Sequence, residues 1–298
     1  VRILYFGKFI EAWRTENWVR YALQQHGVEV IPIQFTNRDP SIENDLSQVR
    51  HYRPDVVLFS KAFHPYYAEL ISKLRASGIV TACWMWDLVW GLRNKVFPQF
   101  HSDILFTTDG GNEDAWESNG LAHHRLLRQG IHGPEHHIVK SGGYTHDVAF
   151  VGSLTPYSHP NRKLLVEALN EVYDYKFLHI RTKRGMNLNR WMSRVKIVVG
   201  DSYPSPNYWS NRIYEMLGRG AFLLYPRTPG LEAEFEEGKH YIGFEQYNFD
   251  EMLEKITEWL PKESERERVR QAGFERCGEF TYTRRVETLL AAIQRKMP

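Results

Sequence analysis

An α/β fold in two successive domains, each built on a parallel sheet, follows from three features of the sequence. Short apolar runs alternate with helix-length stretches along the chain, the pattern of a parallel sheet covered on both faces. Near the middle a tract of Gly, Pro and His without an apolar period interrupts the series. At 298 residues the chain is long for one core and comfortable for two.

The first domain, residues 1–135, opens with the strand RILYFG (2–7). Strands VEVIPIQF (28–35), DVVLFSK (55–61), IVTACWMW (79–86), ILFTT (104–108) and HRLLRQ (124–129) follow, with helices expected near 14–26, 41–51, 65–76 and 112–118. Ligands of such sheets gather beyond the carboxyl ends of the strands, which selects Gly7, Lys8, Lys61, His64, Asp87 and Asp109. Asp87, in WMWDLVW (84–90), lies between Trp86 and Trp90. Apolar flanks favour a neutral carboxyl, so Asp87 is the candidate catalytic carboxylate on the acceptor side; the other reading is a helix N-cap. His64, in AFHP, is a candidate contact to a donor group or a plain loop residue. Lys8 and Glu11 sit in the first strand–helix loop, as acceptor contacts or as a solvated loop. Of Trp13, Trp18, Trp84, Trp86 and Trp90, at least three are expected in the core.

The tract from about 131 to 146 reads as the interdomain linker. The second domain, residues 136–283, continues with strands near VAFVGS (148–153), YKFLHIR (175–181), KIVVGDS (196–202), AFLLYP (221–226) and HYIGF (240–244). Its most informative stretch is 207–238, NYWSNRIYEMLGRGAFLLYPRTPGLEAEFEEG. Arg212 and Glu215 lie three apart in a helical run and share one face; Gly218 and Gly220 suit its end. RTPG (227–230) is a turn that opens an expected second helix, LEAEFEEG, whose first amides would face an anion. A fixed cation, an acid and a Gly-containing helix start fit a ligand carrying both hydroxyls and a diphosphate. The tail from 263 is charged and helical, and residues 284–298 are expected to pack back on the first domain.

Composition bounds the partners. Hydrophobic residues make up 42% and charged residues 25%, ordinary for a globular protein. No apolar run approaches the ~18 residues of a membrane-spanning helix. The N-terminal strand lacks secretory features, and Cys83 and Cys277 form no disulfide framework or metal cluster, so a reducing cytoplasm is the expected compartment. The paired histidines His123–His124 and His136–His137 lack zinc-ligand spacing and read as structural or exposed. Split at residue 135, the first domain has 14 basic against 15 acidic residues and the second 24 against 21, summing to the 38 and 36 of the whole chain. A near-neutral first domain disfavours a nucleic-acid partner.

Residues 147–292 resemble CgeB-type (spore-maturation-protein-like) glycosyltransferases, which are similar to glycosyltransferase family 4. The resemblance is carried by Ser210, Asn211, Arg212, Glu215, Gly220, Thr228, Gly230, Leu231 and Phe235, and by DVAFVGSLTPYSHPNR (147–162). It implies two Rossmann-like domains with parallel sheets facing a central cleft, the GT-B type. It also implies metal-independent, retaining transfer of a sugar from a nucleotide-sugar, a UDP-sugar above all, to a hydroxyl of a saccharide, protein or small molecule. The nucleotide-sugar is a co-substrate, and no tightly bound cofactor is expected. In the implied site Glu215 accepts from the ribose hydroxyls and Arg212 neutralises the diphosphate. Thr228 with the amides of Gly230 and Leu231 cradles phosphate, Gly152 and Ser153 allow close approach, and Lys183 or Arg184 adds a cation. Family 4 has a second Glu eight residues before the ribose-binding one; here Asn207 stands in its place, a hydrogen-bonding group without charge. Two other readings stay open: a phage-type DNA glycosyltransferase acting on hydroxymethylated bases, and a non-catalytic sugar-nucleotide-binding protein.

Overall fold

The structure, a computed structural model, describes residues 1–35, 41–61, 66–88, 100–111, 113–118, 120, 124–140, 142–154 and 161–297. The chain divides into two compact units, Val1–Gln129 with Tyr282–Pro298, and Gly130–Thr281. Each is an α/β unit on one parallel sheet, as the alternation of apolar runs and helices requires.

The first unit runs β1 (Arg2–Gly7), α1 (Thr15–Gln25), β2 (Glu29–Gln34), α2 (Ile42–Tyr52), β3 (Val56–Ser60), α3 (Tyr66–Ala76), β4 (Val80–Met85), β5 (Ile104–Thr107), α4 (Glu113–Ser118) and β6 (His124–Leu126). Its strands lie in the order β2-β1-β3-β4-β5-β6. Successive side chains of a strand face opposite ways, and here both faces are dry. Ile3, Tyr5, Val56 and Leu58 join one apolar cluster. Leu4, Phe6, Val57 and Phe59 join the other. Trp18, Trp84 and Trp86 are core residues, whereas Trp13 is 43% exposed; Trp90 lies outside the described residues.

The second unit contains β7 (His146–Val151), α5 (Arg162–Tyr173), β8 (Phe177–Ile180), α6 (Met186–Met192), β9 (Val195–Val199), α7 (Arg212–Leu217), β10 (Leu223–Pro226), β11 (Ile242–Phe244), α8 (Phe249–Trp259) and α9 (Glu263–Cys277). The strand order is β11-β10-β9-β7-β8. Ala149 and Val151 of β7 pack with Ile213 and Leu217 of α7, and Val148 and Phe150 with Leu165 and Leu169 of α5. The last helix, α10 (Tyr282–Lys296), belongs to the first unit and packs on α1 through Val286, Leu289 and Ile293. Among the described residues no helix is long and apolar enough to cross a membrane.

Two elements differ from the sequence reading. The expected helix over 231–238 is a single 3-10 turn, Leu231–Ala233. Competing partners take the amides that would continue it: the His240 ring accepts from the Glu236 amide at 2.9 Å, and the Tyr241 carbonyl accepts from that of Gly238. The tract from 131 is also no loose linker. Ile131 bridges Thr281, and Ile131, Glu135 and His136 are buried. Glycines at the end of α7 admit this segment: a Cβ on Gly218 would stand 2.6 Å from Ile131 Cγ2, and one on Gly220 would run into Ile138. They therefore do more than stop the helix.

Candidate functional site

In the second unit β8 lies on one side of β7, while β9, β10 and β11 lie on the other. The connection thus reverses direction between β7 and β9, and the crevice beyond the carboxyl ends of two such strands is where open parallel sheets receive ligands. Gly152 and Ser153 follow β7 there, and Asp201 follows β9.

Two guanidinium groups converge on that point. Arg162, the first residue of α5, places Nε 2.5 Å from Asp201 Oδ2 and donates from Nη1 to the Ser153 carbonyl at 3.1 Å. Arg212, the first residue of α7, pairs with Asp201 Oδ1. Both guanidinium groups lie over the Phe150 ring, at 5.9 and 5.1 Å from its centroid. Gly152 makes room: at φ 153° a Cβ there would stand 2.8 Å from Arg212 Nη2. Two cations and one carboxylate leave the cluster one positive charge in excess. Burial pushes the Arg162 guanidinium down to about 10, and burial with the charge of Arg162 pushes Arg212 down to about 9. A second anion would relieve that excess.

One turn along α7, Glu215 meets a different set. Its Oε2 lies 3.6 Å from His136 Nε2 and 3.5 Å from Nη1 of Arg219. The buried Arg219 donates from Nη2 to Glu135 Oε1 at 2.6 Å. Burial alone would raise the Glu215 carboxyl, but Arg219 and His136 overcome it and hold the group at about 2. Arg184 acts electrostatically on both Glu215 and Arg212; Lys183, the other cation named for this loop, is exposed.

The remaining expected residues support the backbone. Asn207, at φ 53°, donates its amide to the Pro229 carbonyl at 2.8 Å, and a Cβ on Gly230 would collide with Asn207 Oδ1. Thr228 donates to the Pro226 carbonyl, and the Leu231 amide to the Thr228 carbonyl at 3.0 Å. The turn therefore closes on itself, and the Leu231 amide expected at a phosphate is already engaged. Ser210 donates its hydroxyl to the Asp201 carbonyl at 3.0 Å and so fixes the loop that carries Asp201. Asn211 is the N-cap of α7 without a side-chain capping bond.

In the first unit Asp87 is not enclosed by apolar groups as the Trp flanks suggested. Its side chain is 54% exposed and lies 2.8 Å from Nζ of Lys61, which stands just past β3. Glu16, in the first turn of α1, and Asp109, just past β5, are buried carboxyls of this unit, and burial raises Glu16. His64 lies outside the described residues. Among the described residues no group of three His, Cys, Asp or Glu side chains is arranged to hold a metal.

Sequence reasoning missed Arg162, Asp201, Glu135, His136, Arg219 and Glu16. Asp201 carried a usable signal, an acid directly after an apolar strand; the others acquire meaning only from the partners that the fold gives them.

Two parallel-sheet α/β units, the second with two arginines on one aspartate at its switch point, define a doubly wound architecture. The family model described as glycosyl transferase-like matches residues 130–291, more than half of the chain, and the chain belongs to that family. It is a glycosyltransferase. No curated protein sequence matches it. Among solved structures it is similar to Anabaena HepE in complex with UDP-glucose, with a TM-score of 0.72, 11% identity and 99% of each chain covered. Sucrose-phosphate synthase from Thermosynechococcus elongatus gives the same values. The lipopolysaccharide outer core galactosyltransferase WaaB, in its apo form, gives a TM-score of 0.61 at 9% identity, over 98% of this chain and 99% of that one. At these identities the likeness is one of fold, the GT-B architecture of two parallel-sheet α/β domains.

Proposed function

We propose that the chain is a CgeB-type enzyme, related to family 4, that moves a glycosyl group from a UDP-sugar to a hydroxyl acceptor without a metal ion. The single observation that carries this reading is the sharing of Asp201 by two buried guanidinium groups at the switch point of the second sheet. A nucleoside diphosphate supplies the further anion that this cluster calls for, and two arginines can meet the charge a divalent cation would otherwise meet. UDP is favoured because the HepE structures hold UDP-glucose or UDP. Glu215, held ionised one turn away, is assigned to the ribose hydroxyls.

In the transfer, the bond between the anomeric carbon and the diphosphate oxygen breaks and UDP leaves with the electron pair. The acceptor oxygen bonds to that carbon and gives up its proton. Arg162 and Arg212 would stabilise the charge growing on the leaving group, an interaction stronger in the transition state than in the ground state. Asp87, paired to Lys61, is assigned to the acceptor hydroxyl, and retention is assigned by analogy with family 4.

The test is a thermal-shift screen with UDP, GDP, ADP and TDP, followed by turnover of UDP-sugars with and without EDTA. A ligand at 100 times its Kd stabilises a fold by about 2.7 kcal/mol. Arg162→Gln and Arg212→Gln are each expected to cost at least tenfold in kcat/KM. A chain that no nucleotide stabilises, or unchanged turnover in both variants, would sink the site; loss of turnover in EDTA would sink metal independence.

A further inference from the structure

Arg219 sits between Gly218 and Gly220, just past the end of α7, with a side chain 1% exposed. Fold stability gives little reason for a guanidinium there, since an apolar side chain of similar volume in place of a buried ion pair is often neutral or stabilising. The distances indicate another reason. Nη2 makes the short contact, 2.6 Å to Glu135 Oε1, while Nη1 stays 3.5 Å from Glu215 Oε2. The second neighbour of Oε2, His136 Nε2, stands off at 3.6 Å. Both groups stand at the outer edge of hydrogen-bond distance from the Glu215 carboxylate, and Nη1 also reaches its main-chain carbonyl at 3.5 Å; they stabilise its charge and leave room at its oxygens for shorter bonds.

We infer that Arg219, restrained by Glu135, is a positioning residue that keeps Glu215 charged, oriented and available to accept hydrogen bonds from the pentose diol of the nucleotide. The inference rests on the assignment of Glu215 to the ribose. Glu135 draws the guanidinium away, so that Arg219 does not close on Glu215 and occupy the oxygens the ligand needs. Glu135 reaches this place because the chain after Gly130 packs against the glycines at the end of α7.

The readout is the ratio of affinities for UDP and 2′-deoxy-UDP, measured by calorimetry on the full chain. A hydrogen bond to a charged acceptor is worth about 1.5 kcal/mol or more, so the wild type should prefer UDP about tenfold. Arg219→Gln should reduce that preference at least threefold, and Arg219→Lys should recover part of it. A merely structural role would instead weaken both nucleotides alike. Should Arg219→Gln fail to fold, the isosteric Glu135→Gln carries the same test, because it frees Arg219 to close on Glu215 and should also lower the ratio. A ratio left at the wild-type value in both variants overturns the positioning role. A wild type without preference, or a preference that survives in Glu215→Gln, overturns the ribose assignment itself and the inference with it.

Discussion

Asp201→Asn removes the carboxylate shared by Arg162 and Arg212 while keeping its size and an acceptor oxygen. Asp201 and its partners are 11%, 5% and 13% exposed, so water can do little to repair the loss. Removing one partner of a buried ion pair typically costs about 3–5 kcal/mol, because the remaining charge is stranded. In a unit of this size about 2–4 °C of Tm accompanies each kcal/mol, so the free variant should melt at least ~6 °C lower. The stranded charge also makes the crevice a better anion site. UDP or pyrophosphate should therefore raise the Tm of Asp201→Asn by several degrees more than it raises the wild type's. The assay is thermal unfolding at fixed ionic strength across a ligand titration. A variant melting within 2 °C of the wild type, or one that gains no more from UDP than the wild type does, would refute the reasoning that Asp201 occupies the place of a missing anion.

Gly152→Ala should weaken UDP more than tenfold and also lower stability, since the residue sits at φ 153° and the new Cβ stands 2.8 Å from Arg212 Nη2; calorimetry on the folded variant checks this. Glu215 is held near 2 against 4.5 for a free glutamate, so its contribution is present above pH 4.5 and lost as the pH falls through 2. That contribution is at most about 3 kcal/mol, and urea unfolding at pH 5 and pH 2 should show a smaller loss in Glu215→Gln than in the wild type. Glu16 is raised by burial, so the folded state binds its proton more tightly, and stability present below the ordinary value of 4.5 is lost as the pH rises from there through the folded value. Glu16→Gln should therefore raise the Tm at pH 7 and change it little at pH 4, and equal gains at both would contradict the burial argument.

The two sheets are legible because a strand buried on both faces reads as a near-continuous apolar run, and β1, β3, β4, β7 and β10 are of that kind. The turn at 207–231 was legible in part. The RTPG turn forms, but the helix after Leu231 does not, because His240 and Tyr241 capture the amides it needs from positions no local pattern reveals. The tract after 131 reads as a linker for a related reason. It lacks an apolar period because it packs by single residues, Ile131 and Ile138, into space that glycines leave open.

What the sequence concealed in the site is its charge balance. Arg212 and Glu215 read from their spacing as a matched pair on one helix face, yet each is settled with its own partners: Arg212 with Asp201 and Arg162, Glu215 with His136 and Arg219. The first cluster carries two cations for one anion. The second sets Glu215 and Glu135 about Arg219, with His136 beside Glu215. Cations gathered at one end of a short helix and a carboxylate a turn away are complementary to a ligand with phosphate oxygens at one end and hydroxyl donors at the other. Arg184 acts on both Arg212 and Glu215, so neutralising one cluster is felt at the other. On the proposed reading, Arg162 and Glu135 set what Arg212 and Glu215 have left to offer; Arg162 lies 39 residues from the Asp201 it pairs with and Glu135 lies 84 from Arg219, so no local motif displays them.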